Sequence, residues 1–169
     1  MTLTLKTVSK SGIARAIAKA EMYRYVNEPG ETESICRDVL ATDPDNQTAL
    51  ALLGLALADQ FCGTVSDRCA EAGRIIQSLK DPYERLYYTG LLNERRAKAQ
   101  LHAGLPPQVL APLLENAMAC FEKAEKIRPE GNDDAILRWN RCVRLLEGLH
   151  EVQPEREPGI EVADGAPVA

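Results

Sequence analysis

The chain has 169 residues, with 25 acidic side chains against 20 lysines and arginines, for a formal net charge of -5. That balance gives no global pull toward nucleic acid or an anionic membrane, and no apolar run approaches the length of a membrane span. Hydrophobic residues make up 45% but aromatics only 5%, a composition that favours helix packed on helix over sheet.

Residues 1–12 lack apolar periodicity and read as a flexible lead-in, with Ser11 the expected cap of a first helix. From Ile13 the spacing Ile13, Ala16/Ile17, Ala20, Tyr23 and Val26 is helical. Asn27-Glu28-Pro29-Gly30 breaks it, and a second helix over 31–42 carries Ile35, Cys36, Val39 and Leu40. So short a turn makes the two helices antiparallel. Asp43-Pro44 closes the pair, and Asp45 or Asn46 can cap a third helix over 47–61. Its run ALALLGLALA is apolar nearly all round, the pattern of the most buried helix. Gly54 lowers helix stability by about 1 kcal/mol relative to alanine, and makes sense where a neighbouring helix crosses closely. Gly63 ends that helix, Thr64 or Ser66 caps a fourth, and 67–79 carries Cys69/Ala70, Gly73, Ile76 and Leu79.

Asp81-Pro82 repeats the turn. A helix over 83–103, with Leu86, Gly90, Leu91 and Ala97 on its apolar side, stops at Gly104, and Pro106-Pro107 opens another that runs to about 127. Both are about two turns longer than their counterparts, so this third hairpin is expected to protrude by roughly 11 Å. Leu101, Leu105, Val109, Leu110, Leu113 and Leu114 crowd its tip. Some of them pack across the hairpin, and the rest offer a dimer contact or a partner site. Asp133 and Asp134 open a last helix to about 148, with Ile136, Trp139, Val143 and Leu146 as its buried stripe. Proline, glycine and acid dominate residues 149–169, which read as a disordered tail.

The recurrence of hairpins closed by Pro44, Pro82 and Pro129 resembles the tetratricopeptide repeat, a 34-residue unit that pairs small residues where its helices cross. Residues 13–46 have that length. In the first helices the small slot holds Ala20, Gly54 and Gly90; in the second helices Ala117/Phe121 match best, and Ala70/Arg74 and Thr32/Cys36 less well. The early aromatic of the family is replaced by Ala16, Leu50 and Leu86, and the second and third units carry insertions. The resemblance covers residues 13–148 and implies an all-α, right-handed solenoid of three antiparallel hairpins plus a capping helix.

Such arrays bind peptides or protein segments along a concave face lined by their first helices. That implies groove positions at Ile17, Glu21, Arg24 and Tyr25, then Leu55 and Asp59, then Tyr87, Leu91, Glu94 and Arg95. Chaperone-binding members hold a terminal carboxylate with lysine, asparagine and arginine. The matching slots here hold Ile17, Glu21, Leu52, Glu84 and Tyr88, so that clamp is absent. An apolar floor of Ile17, Leu55, Tyr87 and Leu91 suits an amphipathic helix or an extended apolar segment.

Catalytic and metal chemistry find little support in the spacing. The five cysteines are an odd count without a CxxC pair, and Cys62 and Cys69 straddle a helix break far from His102 and His150. They read as reduced thiols acting as small hydrophobes in a cytoplasmic protein, and MTLTLKTVSKSG shows no signal-peptide core. Arg138, Arg141 and Arg144 share a helix face, read as solvated and paired with local acids such as Glu147, with a docking strip for an acidic partner or phosphate groups as the alternative. Trp139 reads as the plug of the last hairpin rather than an interface anchor. The reading is therefore a non-catalytic interaction scaffold with a protein or peptide partner. It has no cofactor, metal, nucleic acid or membrane, and its alternative is a homodimer or larger homo-oligomer joined by the long third hairpin.

Overall fold

The structure, a computed structural model, describes residues 3–61 and 67–151. Among these residues seven α-helices follow one another: α1 Ile13–Tyr25, α2 Pro29–Thr42, α3 Gln47–Asp59, α4 Asp67–Gln77, α5 Pro82–His102, α6 Pro107–Glu125 and α7 Asp134–Glu151. Among the described residues there is no strand, and no helix is long and apolar enough to cross a membrane. The expected caps Thr64 and Ser66, the stop at Gly63 and nearly all of the acidic tail lie outside the described residues.

The helix ends follow from local chemistry. Ser9, not Ser11, supplies the first cap: its hydroxyl accepts from the Gly12 amide at 3.2 Å and opens a 3-10 turn that runs into α1. Val8 is tied down as well, because its carbonyl accepts from the Thr42 hydroxyl at 2.9 Å. Asn27 ends α1 in the left-handed region (φ 63°), which asparagine tolerates better than other side-chain-bearing residues. Asn46 caps α3 through the Ala49 amide at 3.0 Å, and Asp81 caps α5 through the Tyr83 amide at 2.7 Å. Asn132 accepts from the Asp134 amide at 3.0 Å and from the Tyr83 hydroxyl at 3.2 Å, tying the last turn to the start of α5.

Each helix packs on the next in the chain, and α1, α3, α5 and α7 also touch in succession. The odd-numbered helices thus form a continuous layer against which α2, α4 and α6 pack. The even helices present a buried pair four residues apart: Thr32/Cys36, Ala72/Ile76 and Ala117/Phe121. Opposite them stand the small residues of the odd helices. The Thr32 hydroxyl donates to the Ala20 carbonyl at 3.0 Å. A Cβ on Gly54 would lie 2.5 Å from Ile76 Cδ1, and one on Gly90 2.5 Å from Phe121 Cε1. The pair in α4 is therefore Ala72/Ile76, not Ala70/Arg74; Ala70 and Arg74 are exposed. The break before α4 hides the register, and two residues rotate a helix by about 200°.

Two further expectations are corrected in α7. Its buried side chains are Ala135, Cys142 and Leu149, seven residues apart, with Leu145 and Leu146 partly covered. The stripe is thus rotated by one position from Ile136-Trp139-Val143-Leu146, and Trp139 is 38% exposed rather than a plug. Small Ala135 and Cys142 let α7 approach α6 more closely than a tryptophan would. α7 also packs along the extension of the third hairpin, so Leu110 and Leu114 are buried, while Leu101 and Val109 remain exposed near its end. Gly104, at φ +80°, turns the chain there: its amide donates to the Leu101 carbonyl and that of Leu105 to the Gln100 carbonyl.

Cys36 and Cys142 behave as the small hydrophobes expected of them. Burial pushes both thiols up to about 12 from 9.0, and burial first, then the Glu84 charge, pushes Tyr88 up to about 12. An unfolded chain releases these protons at lower pH than the folded one, so their stabilising contribution is complete below about pH 9 and is lost as pH climbs toward 12. Arg95 opposes this: burial lowers it to about 10, so the fold gains stability from this group as pH rises above about 10. Two thiols and a phenol outweigh one guanidinium. The denaturant midpoint measured by circular dichroism is expected to fall above about pH 9, less steeply in Cys36→Ala/Cys142→Ala. A flat profile to pH 11 would contradict the burial of these groups.

Candidate partner-binding site on the odd-numbered helices

Four side chains, one from each odd-numbered helix, make a charged row: Arg24, Asp59, Arg95 and Arg138. Arg24 Nε donates to Asp59 Oδ2 at 3.0 Å, and the Arg95 guanidinium pairs with the other carboxylate oxygen. The pairs are partly solvent-accessible, with side chains 14–28% exposed. Arg138 Nη1 lies 3.6 Å from Glu94 Oε1, which also pairs with Lys98. Glu94 is only 1% exposed, and among the described residues its second oxygen has no hydrogen-bond partner; neither has the buried Nε of Arg95.

The row carries more positive than negative charge. Burial first, then the neighbouring charges of Arg24 and Arg138, lowers Arg95 to about 10. Burial also lowers Arg24, with Tyr88 opposing and Arg138 adding to the effect.

Beside the row stands an aromatic ladder on α5. Tyr83 stacks on Tyr87 with ring centroids 5.8 Å apart, Tyr88 meets Tyr87 edge-on at 5.4 Å, and Phe121 closes from the core at 6.0 Å. Burial raises Tyr87 and Tyr88, which keeps both phenols protonated and able to donate near neutral pH. A cleft of about 390 Å³ opens between α5 and α7, lined by Tyr87, Asp134, Leu137, Arg138, Arg141 and Arg144.

The residues expected to line a groove divide into three groups. Arg24, Asp59 and Arg95 come together in one network, with Glu94 and the half-buried Tyr87 beside it. Ile17 is half-buried, Glu21 is exposed and Tyr25 is 91% exposed, and no described contact draws them into the row. Leu55 and Leu91 are the correction: at 6% and 4% exposure they belong to the packed core and cannot form the floor of an open groove. A charge placed on either would unfold the domain rather than merely block a partner. Of the clamp slots, Leu52, Glu84 and Tyr88 are half-buried, and burial raises the Glu84 carboxyl.

Sequence reasoning misses Arg138 as a member of the row because the stripe it assigns to α7 lies one residue out of register. The alanine and cysteine seven apart carry the signal. Chemically, the row and the cleft beside it offer guanidinium forks and phenol donors, an arrangement that can hold the polar groups of another chain. Among the described residues no group of three or more His, Cys, Asp or Glu could hold a metal, and His102 is exposed at the end of α5. Comparison with protein-family models, with curated proteins and with solved structures returns no match.

Proposed function

We propose that this chain is a tetratricopeptide-like helical array, three hairpins and a capping helix, that works as a non-catalytic scaffold holding a protein segment against its odd-numbered helices. The observation that carries the reading is the charged row: four successive odd helices each contribute one half-buried charged side chain to the same face. Folding alone is served better by apolar contact than by half-buried ion pairs, which add little net stability. The recurrent crossing of Gly54 on Ile76 and Gly90 on Phe121 supports the array. A cytoplasmic setting agrees with its thiol chemistry.

A photo-crosslinking residue placed at Tyr87 tests this against the same residue at the exposed Arg74 on α4. Discrete partner adducts are expected in cells from position 87 and not from position 74. Equal labelling at both, or labelling at 74 alone, would remove the proposal.

A second reading, a homo-oligomer joined through the third hairpin, draws on Leu101 and Val109, exposed beside an apolar crevice between α5, α6 and α7. Sedimentation equilibrium showing a strict monomer at high concentration would dismiss it.

A further inference from the structure

Arg141 and Arg144 are exposed and form no ion pair among the described residues, whereas Arg128 on the preceding turn pairs with Glu125 and Asp133 at 3.3 Å. The expected local partner, Glu147, does not engage them. With Arg138 they follow one another every three residues along α7, steps of about 4.5 Å. They line the cleft whose opposite wall is Tyr87, and whose one acidic lining residue, Asp134, opens α7 one turn before Arg138 and about two and three turns before Arg141 and Arg144. Leu137 adds an apolar flank, 63% exposed. The site thus offers three cations at one-turn spacing, an apolar shoulder and a phenol donor.

We propose that the α5–α7 cleft recognises an acidic protein segment, presented as a helix whose carboxylates recur every three or four residues beside an apolar stripe. The inference rests on the reading of the odd-helix face as an interaction surface and supplies the chemistry of its partner. Residues three or four apart on a helix stand about 5–6 Å from one another, close to the spacing of the arginines, and guanidinium forks bind carboxylates in paired hydrogen bonds. Arg138 is already drawn toward Glu94, so the two exposed arginines supply most of the free charge. Nucleic acid is the poorer fit. The strip spans about 9 Å on an acidic chain, too short a track for the many phosphate contacts that such binding needs.

The test uses the full chain and two fluorescein-labelled helical peptides of about 18 residues, five turns long. One carries a glutamate stripe beside a leucine stripe; in the other every glutamate is glutamine. Anisotropy titration is expected to show the acidic peptide binding at least about tenfold more tightly, an advantage that shrinks with added salt. Arg141→Glu/Arg144→Glu is expected to erase that advantage with an unchanged thermal midpoint, because both side chains are exposed. Equal binding of the two peptides would overturn acidic selectivity while leaving the interaction face standing, since the Tyr87 crosslinks test that separately. Failure of the acidic peptide to bind would overturn the proposal, and so would tighter binding of a single-stranded RNA oligonucleotide than of the acidic peptide.

Discussion

Phe121→Ala is expected to remove about 3–5 kcal/mol of folding stability, a large share of what a marginally stable domain possesses. The ring is fully buried, it lies against Gly90 on α5 and it ends the tyrosine ladder behind the charged row. Its loss leaves a cavity that the glycine opposite cannot fill. Gly90→Ala attacks the same contact from the other side. The new methyl would sit 2.5–2.9 Å from three ring carbons, and a ring packed on all sides cannot swing clear. Overpacking of this kind takes about 1–3 kcal/mol, against a gain of about 1 kcal/mol from replacing glycine in a helix. At Gly54 the obstruction is the tip of Ile76, a flexible side chain, so Gly54→Ala is expected to lose less than Gly90→Ala. A methyl added at Gly73 would meet nothing within 4 Å, and Gly73→Ala is expected to stabilise by about 0.5–1 kcal/mol. Urea midpoints of these four variants check the series. A Gly90→Ala protein as stable as Gly73→Ala would mean that α5 and α6 do not cross where the structure places them.

What the sequence discloses and what it hides follow from the same contacts. Turn chemistry is local, so Asn46, Asp81 and the prolines place helix boundaries to within a few residues. Gly54 and Gly90 mark close crossings because a glycine inside an apolar helix has few other uses. Register after a break is not local. Nothing short of the packed partner reveals that Ala72 and Ile76, rather than Ala70 and Arg74, face α3. The same holds for α7, where several apolar positions compete for one face and the smallest residues win.

The candidate site shows a parallel division. Arg24, Asp59 and Arg95 are legible as groove positions because they occupy similar places on successive first helices. Leu55 and Leu91 are not, because both side chains turn into the packed core rather than toward an open face. Arg138 belongs to the row only through the true rotation of α7. Half-buried charge on α1, α3, α5 and α7 is thus a property of the packed layer rather than of any one segment.

Asp59→Asn is expected to destabilise the fold by about 2–3 kcal/mol, less than the full effect of breaking a wholly buried pair because its partners keep some contact with water. Among the described residues the carboxylate is the one anion that touches both Arg24 and Arg95. Asparagine keeps its shape and leaves two guanidiniums facing each other, with Arg138 close by. Adding Arg95→Gln should then restore part of the loss, so that the double variant is at least about 1 kcal/mol more stable than the sum of the singles predicts. Salt supplies a second signature: the Asp59→Asn protein should gain stability from added chloride, which screens the repulsion, more than the parent does. Glu122→Gln is the control, because its pair with Lys126 is exposed on both sides and such pairs contribute about 0–1 kcal/mol. Additive effects of Asp59→Asn and Arg95→Gln, with no added response to salt, would show that the row is a set of independent surface charges and not one network spanning the odd-numbered helices.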